Sequence, residues 1–167
     1  MTEPPSAHVP VMLDEIVRWL EPRDGAVFVD GTLGGGGHTR ALAERVGPNG
    51  TVIALDLDPV VIDRAERRLA GMPVKLARAS FCDLPEVLDE LKITAVDGVL
   101  LDLGLSSDQL ADDSRGFSCA MDGPLDLRFD PTSGEPAWRL LNRLSAEKLA
   151  DLIYAYGEER HSRRIAR

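Results

Sequence analysis

Residues 27–46 read VFVDGTLGGGGHTRALAERV: a short apolar run closed by Asp30, five glycines within seven positions, and then a helical pattern. Short apolar runs bounded by turn residues mark buried strands, and apolar residues spaced three and four apart mark helices. The stretch therefore reads as strand, turn, helix. A tight turn needs one or two glycines, and this one has five. Such a turn lets a ligand approach the main chain and leaves amide N–H groups free at the helix start.

The pattern repeats on the C-terminal side. PNG (48–50) turns the chain into a second strand, VIALD (52–56). Asp58 before Pro59 has the spacing of an N-cap and first helical residue, for a helix running through VVIDRAERRLAG to a stop at Gly71. VKLARAS (74–80) is the third strand, PEVLDEL (85–91) a short helix and GVLLDLG (98–104) the fourth strand. Upstream, PVMLDEIVRWL (10–20) has the spacing of an amphipathic helix packed on the sheet. This alternation predicts an α/β fold with a parallel, doubly wound sheet in the order 3-2-1-4. Residues 105–136 break the pattern in a long stretch rich in Gly, Pro, Asp and Ser, a length that in compact domains often carries function. From Ala137 the chain is helical again, with Ser145 as N-cap of AEKLADLIYAY, Gly157 as its stop and a last helix near Glu158.

The 167 residues suffice for one α/β domain with a core or part of a larger one, and 44% hydrophobic with 28% charged residues is a globular composition. The opening MTEPPSAHVP lacks a basic segment followed by an apolar core, and no apolar run reaches membrane-spanning length, so a cytoplasmic protein without membrane contact is expected. Cys82 and Cys119 lie far apart without metal-ligand spacing, so two free thiols and no metal are expected. The net charge of −9 is unevenly spread. RHSRRIAR (160–167) holds four arginines and no acid, which leaves 15 basic against 28 acidic side chains before it, a balance of −13.

Three ligand classes use a glycine turn of this kind. A phosphate-binding loop needs a lysine in the G-x-x-x-x-G-K-[ST] register, and the lysines stand at 75, 92 and 148 only. A dinucleotide fold prefers G-x-G-x-x-G, which no frame through Gly31–Gly37 supplies. S-adenosylmethionine sites take an acid at the end of the first strand and a looser glycine cluster, the form of Asp30-Gly31-Thr32-Leu33-Gly34. Asp56, ending the second strand, is the candidate acceptor for both ribose hydroxyls. His38 reads equally as helix start or ligand contact. Phe81 reads as core or as an apolar wall for adenine, and Asp58 as a helix cap. Asp102 follows VLL at a strand's carboxyl end, where open α/β sheets place ligands.

Taken together, HVPVMLDE, VDGTLGGGGHTRAL, ALDLDP, LLDLGLSSDQL, RGFS, DGPLDLRFDP and YGEER closely resemble, in this order, the MraW/RsmH family of small-subunit ribosomal RNA methyltransferases. The resemblance runs from His8 to Arg167 and implies N4-methylation of a cytidine, with S-adenosylmethionine as cofactor and small-subunit ribosomal RNA or the assembled small subunit as partner. On matching positions it implies cofactor contacts at Gly36, Gly37, His38, Asp56, Phe81, Asp102 and Gln109. Gln109 comes from the resemblance alone. It also implies a Rossmann-like S-adenosylmethionine-dependent methyltransferase fold, with the cofactor domain over 1–110, a substrate-side loop over 111–135 and the beginning of a helical substrate-recognition insertion over 136–167.

Members of the family continue beyond YGEER and return to add further strands. The resemblance is thus to the amino-terminal portion, and the expectation is an edge at the fourth strand, protected by self-association or in another way, with weak cofactor binding and negligible RNA methylation. Cytosine N4 is a poor nucleophile, because its lone pair is delocalised, and needs an acceptor for one of its protons. Asp102 is one candidate; the other is Ser106 or Ser107, with Asp102 then serving the cofactor. Arg115, Phe117, Arg128 and Phe129 read either as an RNA-contacting loop or as a loop folded on its own Asp–Arg pairs, and RHSRR as an RNA contact or a solvated face. A small-molecule methyltransferase, a non-catalytic S-adenosylmethionine-binding fragment and, third, an NAD enzyme are the rival readings.

Overall fold

The computed structural model describes residues 10–167; His8 and Val9 of the HVPVMLDE segment lie outside it. Two compact units divide after Ala111. In the first, α1 (Leu13–Leu20) precedes β1 (Val27–Asp30), α2 (Gly37–Val46), β2 (Thr51–Asp56), α3 (Pro59–Arg68) and β3 (Val74–Arg78). A 3-10 turn (Phe81–Asp83), α4 (Leu84–Glu90), β4 (Gly98–Leu100) and α5 (Ser107–Ala111) complete it. The four strands are parallel in the order β3-β2-β1-β4.

β1 and β2 are central, and their side chains alternate between two apolar layers, as strands buried on both faces require. Phe28 and Val52 pack with Leu42, Ala43 and Val46 of α2. Ala54 joins Leu33, Ala65 and Leu69 under α3. Val29, Ile53 and Leu55 point the other way, onto Leu84, Val87, Leu88 and Leu91. Asp58 caps α3 as its spacing predicts, its carboxylate accepting the Val60 N–H at 2.9 Å.

Several boundaries differ from the sequence reading; α1 starts at Leu13 rather than at position 10, and β3 ends at Arg78 rather than at position 80. α3 stops at Arg68 rather than running to Gly71: Leu69 still closes the last i→i−4 bond on Ala65, but its backbone leaves helical geometry (ψ 11°) and Gly71 is left-handed (φ 79°). β4 is three residues long instead of seven. Its partner β1 ends at Asp30, opposite Leu100, so the ladder has nothing to continue against. The last helix starts at Ser162 rather than near Glu158, which instead takes a left-handed conformation that closes the preceding helix.

The second unit runs from Asp112 to Arg167 and holds α6 (Ala137–Arg143), α7 (Ala146–Gly157) and α8 (Ser162–Ile165). Ser145 caps α7 by accepting the Lys148 N–H. The segment before α6 is tied down from within. Arg115 is 8% exposed, donates to the Phe129 carbonyl at 3.0 Å and pairs with Asp112 at 3.6 Å. Arg128 grips both carboxylate oxygens of Asp126 at 2.7 Å, which holds that carboxyl below its ordinary range. The Phe117 and Phe129 rings pack against each other at a tilt of 39°, with centroids 5.5 Å apart. Of the two readings open for this loop, these contacts describe the one folded on its own Asp–Arg pairs. No helix among the described residues is long and apolar enough to cross a membrane.

Candidate functional site

β1 stops at Asp30 because the next residues curl back over its carboxylate. Oδ1 of Asp30 accepts the Thr32 N–H at 3.1 Å and the Thr32 hydroxyl at 3.3 Å, while Oδ2 accepts the Thr39 hydroxyl at 2.6 Å. The carboxyl group is almost fully buried, which pushes its pKa up, against the opposing pull of these hydrogen bonds, Thr39 foremost. Asp30 thus ties the glycine loop to α2 from below.

Asp56 ends β2 and engages the same loop. Its Oδ2 accepts the Gly34 N–H and its Oδ1 the Asp58 N–H, both at 3.0 Å. Burial raises its pKa too, opposed first by the bond from Asp58. The Leu57 N–H also engages this carboxylate, and since a carboxylate has about four lone-pair sites, acceptor capacity remains. Phe81 follows β3, remains 42% exposed, and its Cβ lies against Gly31 at the end of β1. Asp102 lies beyond the end of β4, with its N–H donating to the Thr32 hydroxyl oxygen at 2.7 Å and its side chain 34% exposed. The loop, Asp56, Phe81 and Asp102 therefore converge on the carboxyl edge of the sheet, where the chain's path reverses between β1 and β4. In open α/β folds ligands bind at such a point.

His38 stands in the first turn of α2, and its ring is turned toward Val11 and Asp102. It is 6% exposed, with Nε2 3.0 Å from the Val11 carbonyl and Nδ1 3.8 Å from the Asp102 carboxylate. A carbonyl only accepts, so Nε2 carries a hydrogen. Gly36 has φ 77°, a conformation that disfavours other residues. At Gly37 a Cβ would come within 2.8 Å of the Pro10 ring. The close approach at that position is made by the chain's own N-terminal segment.

Ser106 and Gln109 are brought to each other. The Gln109 side-chain oxygen accepts the Ser106 N–H at 2.9 Å, and the Ser106 hydroxyl oxygen accepts the Gln109 N–H at 3.1 Å. This is a reciprocal capping box at the start of α5, with Gln109 buried. The S-x-x-Q spacing of Ser106 and Gln109 is the signal that could have indicated this cap, whereas the sequence reading rests Gln109 on the resemblance alone. Thr32, Thr39 and Val11 were not singled out there. An Asx-turn at Asp30-Gly31-Thr32 would have pointed to Thr32; no local pattern pairs Asp30 with Thr39 or His38 with Val11. Among the described residues no group of three or more His, Cys, Asp or Glu side chains converges as a metal site.

A parallel 3-2-1-4 sheet whose first strand opens into a glycine loop and whose second ends in a half-buried carboxylate places the first unit in the Rossmann-like class. The chain belongs to the MraW methylase family, whose model matches residues 5–167. It is 48% identical over 163 residues to ribosomal RNA small subunit methyltransferase H of Thermomicrobium roseum, covering 96% of this chain and 50% of that protein. The protein of the same name from Deinococcus radiodurans is 51% identical over 165 residues, 98% of this chain and 51% of the relative. The chain thus spans about half the length of the curated relatives it matches. Among solved structures, an rRNA methylase from Streptococcus thermophilus aligns with a TM-score of 0.40 at 22% identity, over 49% of each chain.

Proposed function

We propose that this chain carries the S-adenosylmethionine site of a methyltransferase acting on small-subunit ribosomal RNA in the cytoplasm, with a cytidine N4 as methyl acceptor. The observation that carries the reading is the pair Asp56 and Asp102, standing on either side of the glycine loop in a member of a methylase family. The residues fit the cofactor. Asp56 keeps lone pairs for the ribose hydroxyls, and Phe81 offers an exposed apolar face to adenine. The main chain at Gly36 and Gly37, together with Asp102 and Gln109, completes the pocket. The ring of His38 faces Val11 and Asp102, so its own contribution to the ligand comes through the backbone.

The cofactor when bound supplies a methyl group on a sulfonium, open to in-line attack by nitrogen. The protein's work is positioning. The N4 amino group needs an acceptor for one proton. Ser106 already uses one lone pair on the Gln109 N–H, whereas the half-exposed Asp102 carboxylate is acceptor-only when ionised. Asp102 is therefore assigned this role ahead of Ser106. The substrate is ribosomal RNA, alone or in the assembled small subunit, with its target base unstacked. The exposed Arg160, Arg163, Arg164 and Arg167 suit phosphate contact. β4 is the last strand of the sheet, and Val99 within it and Leu101 and Leu103 just beyond it are exposed, which supports pairing with a second copy.

Calorimetric titration with S-adenosylmethionine and with NAD tests the cofactor. Transfer of a labelled methyl group to naked small-subunit RNA, to assembled subunits and to small-molecule acceptors tests the substrate. Binding of NAD in place of S-adenosylmethionine, or transfer to metabolites only, would refute the reading. Light scattering over a concentration series tests self-association.

A further inference from the structure

The β1–β4 ladder pairs Asp30 with Leu100, and the Gly31 N–H donates to the Leu100 carbonyl at 2.9 Å. Carried two residues on, that register brings Thr32 opposite Asp102. By then β1 has turned into the glycine loop, so its backbone is no longer available. The Thr32 hydroxyl oxygen takes the Asp102 N–H instead, at 2.7 Å across 70 residues of sequence. A hydroxyl has one hydrogen, and the Asp30 carboxylate receives it, which turns the oxygen lone pairs toward β4. Asp30 is itself held by the Thr39 hydroxyl. On the side-chain end of Asp102, His38 Nδ1 faces the carboxylate at 3.8 Å.

We infer that Thr32 is a positioning residue for Asp102: its hydroxyl, oriented by the buried Asp30, stands in for the missing strand and sets where the Asp102 carboxylate stands at the end of the sheet. This rests on the reading of Asp102 as a residue of the cofactor and methyl-acceptor site. A side chain in this role has to be short, to reach from the loop, and has to carry both a donor and an acceptor. Threonine and serine meet those conditions. Valine has the shape of threonine without the hydroxyl, so Thr32→Val removes the link to Asp102 together with the hydroxyl's donation to Asp30, while Thr32→Ser keeps both.

The test is S-adenosylmethionine affinity by titration calorimetry in the parent chain, Thr32→Val, Thr32→Ser, Asp102→Ala and the Thr32→Val/Asp102→Ala double variant, with circular dichroism as a check on folding. Thr32→Val is expected to weaken binding roughly five- to tenfold, about the factor of one neutral hydrogen bond, with Thr32→Ser within about twofold of the parent. In the Asp102→Ala background the Thr32→Val effect should vanish, since a positioning residue acts only through what it positions. An undiminished loss in that background, or parent affinity in Thr32→Val, overturns the inference.

Amide hydrogen exchange by NMR reads the link without reference to any ligand. The Asp102 N–H is expected to exchange slowly in the parent and Thr32→Ser and faster in Thr32→Val. Fast exchange in the parent overturns the inference even if Thr32→Val does not fold. A parent chain that binds no S-adenosylmethionine refutes the cofactor reading instead, and the exchange of the Asp102 N–H then decides the structural link alone.

Discussion

Asp56 holds the Gly34 N–H at 3.0 Å, so the acid that ends β2 also shapes the glycine loop it faces. Asp56→Ala therefore removes both a ligand acceptor and a support of the loop. S-adenosylmethionine affinity is expected to fall by roughly 1.5–3 kcal/mol, the range for hydrogen bonds to charged groups. Asp58→Ala removes the α3 cap and should lower stability by about 1 kcal/mol with affinity retained. Calorimetry and thermal melting on the two variants separate these outcomes; equal loss of affinity in both would contradict the assignment.

The raised pKa of Asp56 makes that affinity pH-dependent. Its carboxylate form accepts ribose hydroxyls, so binding is full above the raised folded value and declines as pH falls through it. Asp56→Asn should flatten the dependence at lower affinity. Titrations from neutral to mildly acidic pH give the comparison.

Asp30 acts on stability with the opposite sign. Its folded pKa lies above the ordinary 3.8. The folded state therefore holds its proton where the unfolded chain has released it. The resulting stabilisation is complete below the unfolded value and is lost as pH rises to the folded one. The stability of the parent relative to Asp30→Asn should decline with rising pH over that window, as measured by urea unfolding at a series of pH values.

At the glycine loop the two central positions should fail for different reasons. Gly36→Ala forces a side chain into a left-handed conformation, at a cost of about 1–2 kcal/mol. Gly37→Ala meets the Pro10 ring and should displace the segment whose Val11 carbonyl contacts His38. Thermal melts should register the first, and the His38 ring resonances in NMR the second. An unshifted His38 spectrum in Gly37→Ala would count against the contact.

Arg115 is a test of the loop's character. Because its guanidinium is buried on the Phe129 carbonyl, Arg115→Ala should destabilise the second unit by about 1–3 kcal/mol and speed proteolysis between 115 and 136. Unchanged proteolysis together with weaker RNA binding would instead mark Arg115 as a direct phosphate contact.

The sequence by itself determined what local chemistry decides. Alternating apolar runs and helical spacing defined the strands and helices, Asp58-Pro59 and Ser145 their caps, and the acids at 56 and 102 their places just beyond or at strand ends. These follow from backbone propensity, side-chain period and capping, which act over a few residues. Only the tertiary structure decided that β4 ends at Leu100, that Pro10 fills the space over Gly37, that His38 turns to Val11 and Asp102, and that Arg115 is buried. Each depends on which distant segments the parallel register brings together. Thr32 and Asp102 meet across 70 residues because β1 and β4 are neighbours in a sheet where two other strands intervene in the chain. A buried carboxylate such as Asp30 then selects its partners by reach and orientation, which no spacing along the chain encodes.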